Sequence, residues 1–191
     1  MRKEIRLSGF GGQGLILAGI ILAEAAMFDG YEAVQTQSYG PEARGGASKS
    51  EVIISDIEID YPKVTVPDVL LALSDAASER YVGNVKSSTI ILIDSDLVTG
   101  VPQNEGNLYK IPLMRTSESA TGKKITANLT AIGALNELSK LVSMESLEKA
   151  VCARVPKGTE ELNMKAFRAG VNAAKNLISG CGAVIVGGKR E

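Results

Sequence analysis

Apolar and polar positions alternate over "EIRLSGF", residues 4–10, and the alternation stops on glycine, which predicts a first strand running into a turn. The next stretch, "GLILAGIILAEAAMFDG" (14–30), is apolar almost throughout, rich in alanine and closed by Gly30; its length predicts a buried helix. Alternation with β-branched residues returns in "YEAVQTQS" (31–38) and "SKSEVIIS" (48–55), two strands with a loop between them. "DVLLALS" (68–74) and "STIILIDS" (88–95) are short continuous apolar runs, the mark of strands covered on both faces, and a helix at about 75–83 connects them. "NLYKIP" (107–112) reads as a sixth strand. Helical spacing then takes over at 127–142, 144–153 and 159–179, with Pro156 and Gly158 separating the last two. Within 127–142, Leu129, Ile132, Leu135, Leu138 and Leu141 predict a core face, while Asn128, Thr130 and Asn136 could equally meet another subunit. The tail "GCGAVIVGGKRE" (180–191) fits either a strand or a docking tail. The order predicts one α/β domain over 1–191, a mostly parallel, Rossmann-like, three-layer arrangement with a helical C-terminal part.

Composition narrows what such a domain can do. With 45% hydrophobic and 23% charged residues the chain is expected to fold. Its 21 Lys+Arg against 22 Asp+Glu leave a formal charge of −1, so no basic field is available to hold nucleic acid. No run reaches the roughly 18 apolar residues of a membrane span, and "MRKEIRLSGFGGQG" meets glycines before any long apolar run, unlike a signal peptide. Cys152 and Cys181 form no metal-binding spacing and no disulfide framework, which suggests a reducing, cytoplasmic setting. The absence of histidine removes Ser-His-Asp and Cys-His pairs. No catalytic residue and no metal site are therefore expected on this chain.

Two loops remain as candidate binding elements. In "GFGGQG", Gly9, Gly11 and Gly14 have the GxGxxG spacing between a strand and a helix, where glycine lets the backbone approach a phosphate; Gly12 and Gln13 complete the turn. The same glycines also suit a tight strand-to-helix turn with no ligand. A dinucleotide site usually adds an acid at the end of the second strand. Here that end reads Gln35, Thr36, Gln37 and Ser38, with Asp29 and Glu32 at the opposite end. A free-standing dinucleotide-binding protein is thus the alternative, disfavoured by the missing acid. Gln13 has no packing purpose visible in the sequence and could reach a ligand or another chain. Asp94 and Asp96 follow an apolar strand at the edge where α/β sheets bind ligands, although capping and turn formation suit them as well; Asp75 reads as a helix N-cap. The second loop, "SYGPEARGG" (38–46), sets Arg44 among Gly40, Gly45 and Gly46.

"GFGGQGLILAGIILAEAA", "QSYGPEARGGASKSEVIIS" and "VPDVLLAL", occurring in that order, resemble the gamma subunit of 2-oxoacid:ferredoxin oxidoreductases, with "SYGPEARGG" most similar to the 2-oxoglutarate branch. The resemblance implies a subunit of an enzyme that oxidatively decarboxylates a 2-oxoacid to an acyl-CoA and carbon dioxide while reducing ferredoxin. It implies that thiamine diphosphate, magnesium and 4Fe-4S clusters reside on companion alpha, beta and ferredoxin-like delta subunits, and that this chain alone holds none of them. A contact with coenzyme A is implied for Gly9, Gly11, Gly12, Gln13 and Gly14 and for Tyr39, Gly40, Glu42, Arg44, Gly45 and Gly46. Fused relatives carry lysines where this chain has Glu42 and Ala43. Arg44 would then face a coenzyme A phosphate or a carboxylate across the subunit boundary, where a planar fork binds bidentately; the plain alternative is a surface pair with Glu42. A purely structural assembly subunit is the third reading.

Overall fold

In the computed structural model, which describes residues 1–38 and 48–180, the N-terminal alternation forms strand β1 (Arg2–Gly9) and the apolar run after it forms helix α1 (Leu15–Phe28). Then follow β2 (Glu32–Gln37), β3 (Ser48–Ser55), β4 (Val69–Ala72), α2 (Asp75–Tyr81), β5 (Ile90–Asp94) and β6 (Asn107–Ile111). Helices α3 (Leu113–Thr121), α4 (Ala127–Ser139), α5 (Met144–Arg154) and α6 (Glu160–Ile178) complete the chain, with a 3-10 turn at Lys124–Thr126. The tail at 181–191 lies outside the described residues.

The strands form one sheet in the order β2-β3-β1-β4-β5-β6. The pairs β1–β4, β4–β5 and β5–β6 are parallel. β3 runs antiparallel to both β1 and β2, so it alone opposes the common direction. Successive residues of β4 show why its sequence is apolar without alternation. Val69 and Leu71 belong to the core shared with α1, α4, α5 and α6, whereas Leu70 and Ala72 join Ala77 and Tyr81 of α2 on the other face. Helix, sheet and helix make the three expected layers, with the larger share on the α1 side.

α4 departs from its expected amphipathic character. Every residue from Asn128 to Glu137 is buried, and the polar ones are bonded inside the chain. Thr130 Oγ1 donates to the Ala166 carbonyl at 3.0 Å, and Asn136 both donates to the Val142 carbonyl and accepts from its N–H. Thr130 and Asn136 are therefore not available to another subunit. α6 crosses so closely that a Cβ placed on Gly170 would stand 1.9 Å from the Thr130 carbonyl oxygen.

A buried ion pair ties the middle of the sheet to the segment before β4. Arg6 and Glu51, 7% and 8% exposed, face each other across β1 and β3 with Nε donating to Oε1 at 2.7 Å. Arg6 Nη2 donates to the Val64 carbonyl, its guanidinium lies 5.0 Å from the centre of the Tyr81 ring, and Lys49 Nζ joins Glu51 at 3.0 Å. A buried guanidinium with this set of partners has its desolvation compensated.

α3 and the 3-10 turn were not visible in the sequence pattern. "LMRTSESAT" is mostly polar and interrupts its good helix formers with four Ser and Thr residues. Its start is supported from a distance, because the Asp94 carboxylate accepts from Met114 N at 2.8 Å.

Candidate functional site

The parallel strands β1, β4, β5 and β6 end at one edge of the sheet, and β2 ends there too. In open α/β sheets this carboxyl edge is where ligands bind, at the point where the strand order reverses. The reversal here lies at β1, whose neighbours are β3 on one side and β4 on the other. The glycine turn leaves β1 at that place.

Gly9 closes β1 under close packing: a Cβ there would meet Gln13 Oε1 at 2.2 Å and the Leu73 Cβ at 3.0 Å. Gly14, the N-cap of α1, has φ 74° in the left-handed region, and a Cβ on it would collide with the Asn128 amide at 2.5 Å. Gly11 and Gly12 stay exposed at the tip, beside half-exposed Phe10. Gln13 proves to have a structural task. Its Oε1 accepts from Phe10 N at 2.6 Å and its Nε2 donates to the Leu73 carbonyl at 3.1 Å, so the side chain clamps the turn onto the end of β4. α1 starts with no capping side chain and no acid in its first turn. Its N–H ends and the positive end of its dipole suit an anion.

Cavities flank the turn on both sides. One of about 380 Å³ lies between Phe10, Gly11, Gly12, Gly14, Leu15 and Ile16 of the turn and the strand ends Ser38, Ser48 and Lys49. The other, of about 180 Å³, lies toward β4 and β5 and reaches Leu73, Asp94, Met114, Lys124 and Asn128. Tyr39, Gly40, Glu42, Arg44, Gly45 and Gly46 fall outside the described residues. Both ends of their loop are nevertheless anchored at this edge: Ser48 is the register partner of Gly9, and Ser38 N donates to the Lys49 carbonyl at 3.3 Å. The described residues Ser38 and Ser48 therefore stand at the same edge of the sheet as the glycine turn.

The aspartates of this edge are structural. Asp94, 1% exposed, accepts from Asp96 N through Oδ1 and from Met114 N through Oδ2; burial pushes its carboxyl above the usual value, against the pull of these N–H donors. Asp96 pairs with Arg115 at 2.8 Å. Asp75 is not the N-cap of α2. Ser74 takes that place, accepting from Ala77 N, while the Asp75 carboxylate gathers the N–H groups of Thr99 and Gly100 and the Thr99 hydroxyl. Those backbone donors, Thr99 first, hold the Asp75 carboxyl below its ordinary range. Among the described residues no three His, Cys, Asp or Glu side chains could share a metal ion, and no helix is long and apolar enough to cross a membrane.

The sheet also bears on the dinucleotide alternative. β3 separates β1 from β2, so the end of β2 stands two strand spacings, roughly 10 Å, from the glycine turn. That end carries Gln37, whereas Glu32 pairs with Ser55 at the far edge. The end of β2 thus carries no acid to hold a ribose, and Asp75, which follows β4 at this edge, is engaged by the N–H groups of Thr99 and Gly100.

Lys124 and Lys49 line these cavities without having been singled out in the sequence, and Asn128, read there as a position that could meet another subunit, lines the smaller cavity. No local signal distinguished Asn128 from any polar residue in a helix; only the approach of α4 to the turn gives it a place.

A sequence model of the family described as pyruvate ferredoxin/flavodoxin oxidoreductase matches residues 4–173. The chain is 55% identical over 180 residues to the 2-oxoglutarate synthase subunit KorC of Methanocaldococcus jannaschii, covering 93% of this chain and 96% of that protein. Among solved structures, the gamma subunit of a keto/oxoacid ferredoxin oxidoreductase from Geobacter sulfurreducens superposes with a TM-score of 0.82 at 50% identity, over 91% of this chain and 98% of that one. The 2-oxoglutarate:ferredoxin oxidoreductase of Magnetococcus marinus, solved with 2-oxoglutarate, coenzyme A and succinyl-CoA, superposes with a TM-score of 0.81 at 26% identity. That likeness covers 92% of this chain and 31% of the longer chain.

Proposed function

The chain belongs to the pyruvate ferredoxin/flavodoxin oxidoreductase family, and from that premise we propose that it is the gamma subunit of a 2-oxoglutarate:ferredoxin oxidoreductase. The reaction converts 2-oxoglutarate and coenzyme A to succinyl-CoA and carbon dioxide with reduction of ferredoxin. Decarboxylation and electron transfer take place on alpha, beta and ferredoxin-like delta companions that carry thiamine diphosphate, magnesium and 4Fe-4S clusters. The observation that carries this reading is the 55% identity to a 2-oxoglutarate synthase subunit along nearly its whole length. A relative whose chain includes this domain as about a third of its length gives the same direction, since its structure holds coenzyme A and succinyl-CoA.

Coenzyme A supplies the thiol that accepts the acyl group. The role of this chain is to hold the coenzyme's anionic end at the carboxyl edge. The larger cavity fits that task, because it joins the uncapped start of α1 and the exposed backbone of Gly11 and Gly12 to the anchored ends of the Arg44 loop. Gly9, Gln13 and Gly14 shape the turn without needing to touch the ligand. Arg44 adds a guanidinium for a phosphate.

Arg44→Ala in the reconstituted complex tests the reading, with assembly measured separately from kinetics. The expected result is an intact complex whose KM for coenzyme A rises about ten-fold, corresponding to one lost charge-assisted contact. Unchanged coenzyme A dependence with impaired assembly would move Arg44 to the subunit boundary. Full activity of a complex lacking this chain would overturn the proposal.

A further inference from the structure

Helix α1 is apolar on every side, and Glu24 is its only charged residue. A helix of that kind is ordinarily enclosed all round, yet one side of α1 is open. Gly19 faces the sheet, since a Cβ there would meet Ser50 Oγ and, at 3.3 Å, Gln35 Cγ. Glu24 and Phe28 face α5, where Arg154 donates to Glu24 and Lys149 Nζ stands 3.9 Å from the centre of the Phe28 ring. Ile16, Ile20, Ala23 and Met27 recur at helical spacing between those two directions, opposite the buried Ala18, Leu22 and Ala25, so they point sideways past β2. Ile16 and Met27 are 37% and 63% exposed.

β2, directly below this stripe, is an open edge. Among the described residues no strand pairs with its outer side. Ser38 N donates to the Lys49 carbonyl, one step beyond the Gln37–Ser50 pair. In an antiparallel ladder bonded and unbonded pairs alternate, so Glu32, Val34 and Thr36 bond β3, while Ala33, Gln35 and Gln37 turn their N–H and C=O outward. Edge strands are commonly blunted by lysine, proline or a bulge. The opposite edge strand, β6, carries exposed Lys110, whereas β2 has none of these devices.

We propose that β2 pairs antiparallel with β2 of a second copy of this chain about a two-fold axis at Gln35, joining the two sheets and bringing the two α1 stripes together. Outward groups bond only where they face outward groups, and full overlap then sets Gln35 opposite itself, Ala33 opposite Gln37 and Val34 opposite Thr36. Glu32 meets Ser38 of the other copy, so no like charges face each other, and Glu24 is turned away toward Arg154. The spacing also agrees. α1 lies over β2 and β3; with strands about 4.8 Å apart, the two α1 axes stand about 10 Å from each other, a distance at which helices pack. Gly19 lies over Gln35, so the antiparallel helices cross beside Ile20, with Ile16 of each near Ala23 of the other. A face about 20 Å long and two layers deep buries on the order of 1,200 Å² in all, the lower end for specific interfaces. The dimer is therefore reversible, with a Kd of about 1–100 μM. The contact uses neither the glycine turn nor Arg44, so it stands or falls independently of the coenzyme A reading.

The test uses the full-length chain carrying Cys152→Ser and Cys181→Ser. Sedimentation equilibrium is expected to show monomer and dimer in exchange. Under mild oxidation Gln35→Cys should give a disulfide-linked dimer, because hydrogen-bonded partners stand about 5.5 Å apart. Thr36→Cys, about 7–8 Å from its counterpart on the diagonal, should link at least about ten-fold more slowly. Ile20→Glu and Ile20→Lys should each weaken the dimer at least about ten-fold, and mixing the two variants should restore it. If the Ile20 variants fail to fold, exposed Gln37→Pro, which deletes an outward N–H and leaves the β3 ladder intact, should weaken the dimer about ten-fold. In the reconstituted complex Ile20→Glu should leave assembly with the companion subunits unchanged. A folded chain that stays monomeric at about 1 mM, equal linking through positions 35 and 36, or loss of companion assembly in Ile20→Glu would overturn the proposal, the last by giving this edge to a companion subunit.

Discussion

Opposite edges of the same sheet treat their polar groups differently. At the amino edge several charged groups are answered from within the chain. Asp68 accepts from Glu4 N at 2.8 Å and pairs with Lys86; Glu4 accepts from Thr65 N and pairs with Arg2. Asp29 accepts from the N–H and hydroxyl of Ser143 and from the Ser146 hydroxyl, each at 2.6 Å, fastening α1 to the start of α5. At the carboxyl edge, two helix starts remain uncapped, Asn128 Oδ1 is unmatched, and Phe10, Ile16 and Ile125 are exposed around the cavities. Two aspartates mark the contrast. Desolvation works to raise both; at Asp94 it prevails, while at Asp29 the donors from Ser143 and Ser146 outweigh it and hold the carboxyl below its ordinary value. An edge whose hydrogen bonds close internally serves folding, and one left partly open is where ligand and partner can contribute.

The contrast is sharpest where an internally satisfied group is removed. Glu51→Leu strands the Arg6 guanidinium between the strands with only the Val64 carbonyl and the Tyr81 ring. Denaturant unfolding is expected to show a loss of about 3 kcal/mol, the lower part of the range for breaking a buried pair. A loss below about 1 kcal/mol would show that the interior is as tolerant as a surface.

Asp29→Asn comes next. Because the folded-state value is depressed, the carboxylate's stabilisation is fully present above its ordinary value of 3.8 and is lost as pH falls through the lower folded value. The variant should lose about 1 kcal/mol at neutral pH after solvent screening and should show a flatter acid limb below pH 3.8. An unchanged acid limb would mean that the serines do not favour the charged form.

The smallest expected effect is at the open edge. Asn128→Leu exchanges an unmatched acceptor for an apolar group and gives up only the long contact to Gly14. Stability should stay within about 0.5 kcal/mol; a loss like that of Glu51→Leu would erase the distinction between the edges.

Much of this molecule was legible from patterning. β1, α1, the buried strands β4 and β5, and helices α4, α5 and α6 follow from runs whose period and length leave little choice. α3 was hidden because its start depends on Asp94, 20 residues away in sequence. The glycine turn was visible as a motif, but Gln13 was misjudged, since the Leu73 carbonyl it clamps is 60 residues distant.

The linear order of residues was enough to determine the class of fold, the turn at the end of β1 and the family likeness, because periodicity and short motifs are local properties. Only the tertiary structure decided that β3 opposes its neighbours, that α4 is enclosed on every side, and that Asn128 stands over Gly14. Hydrogen-bond partners, burial and the meeting of helix ends depend on which distant segments come together, and no pattern within one segment encodes its partner.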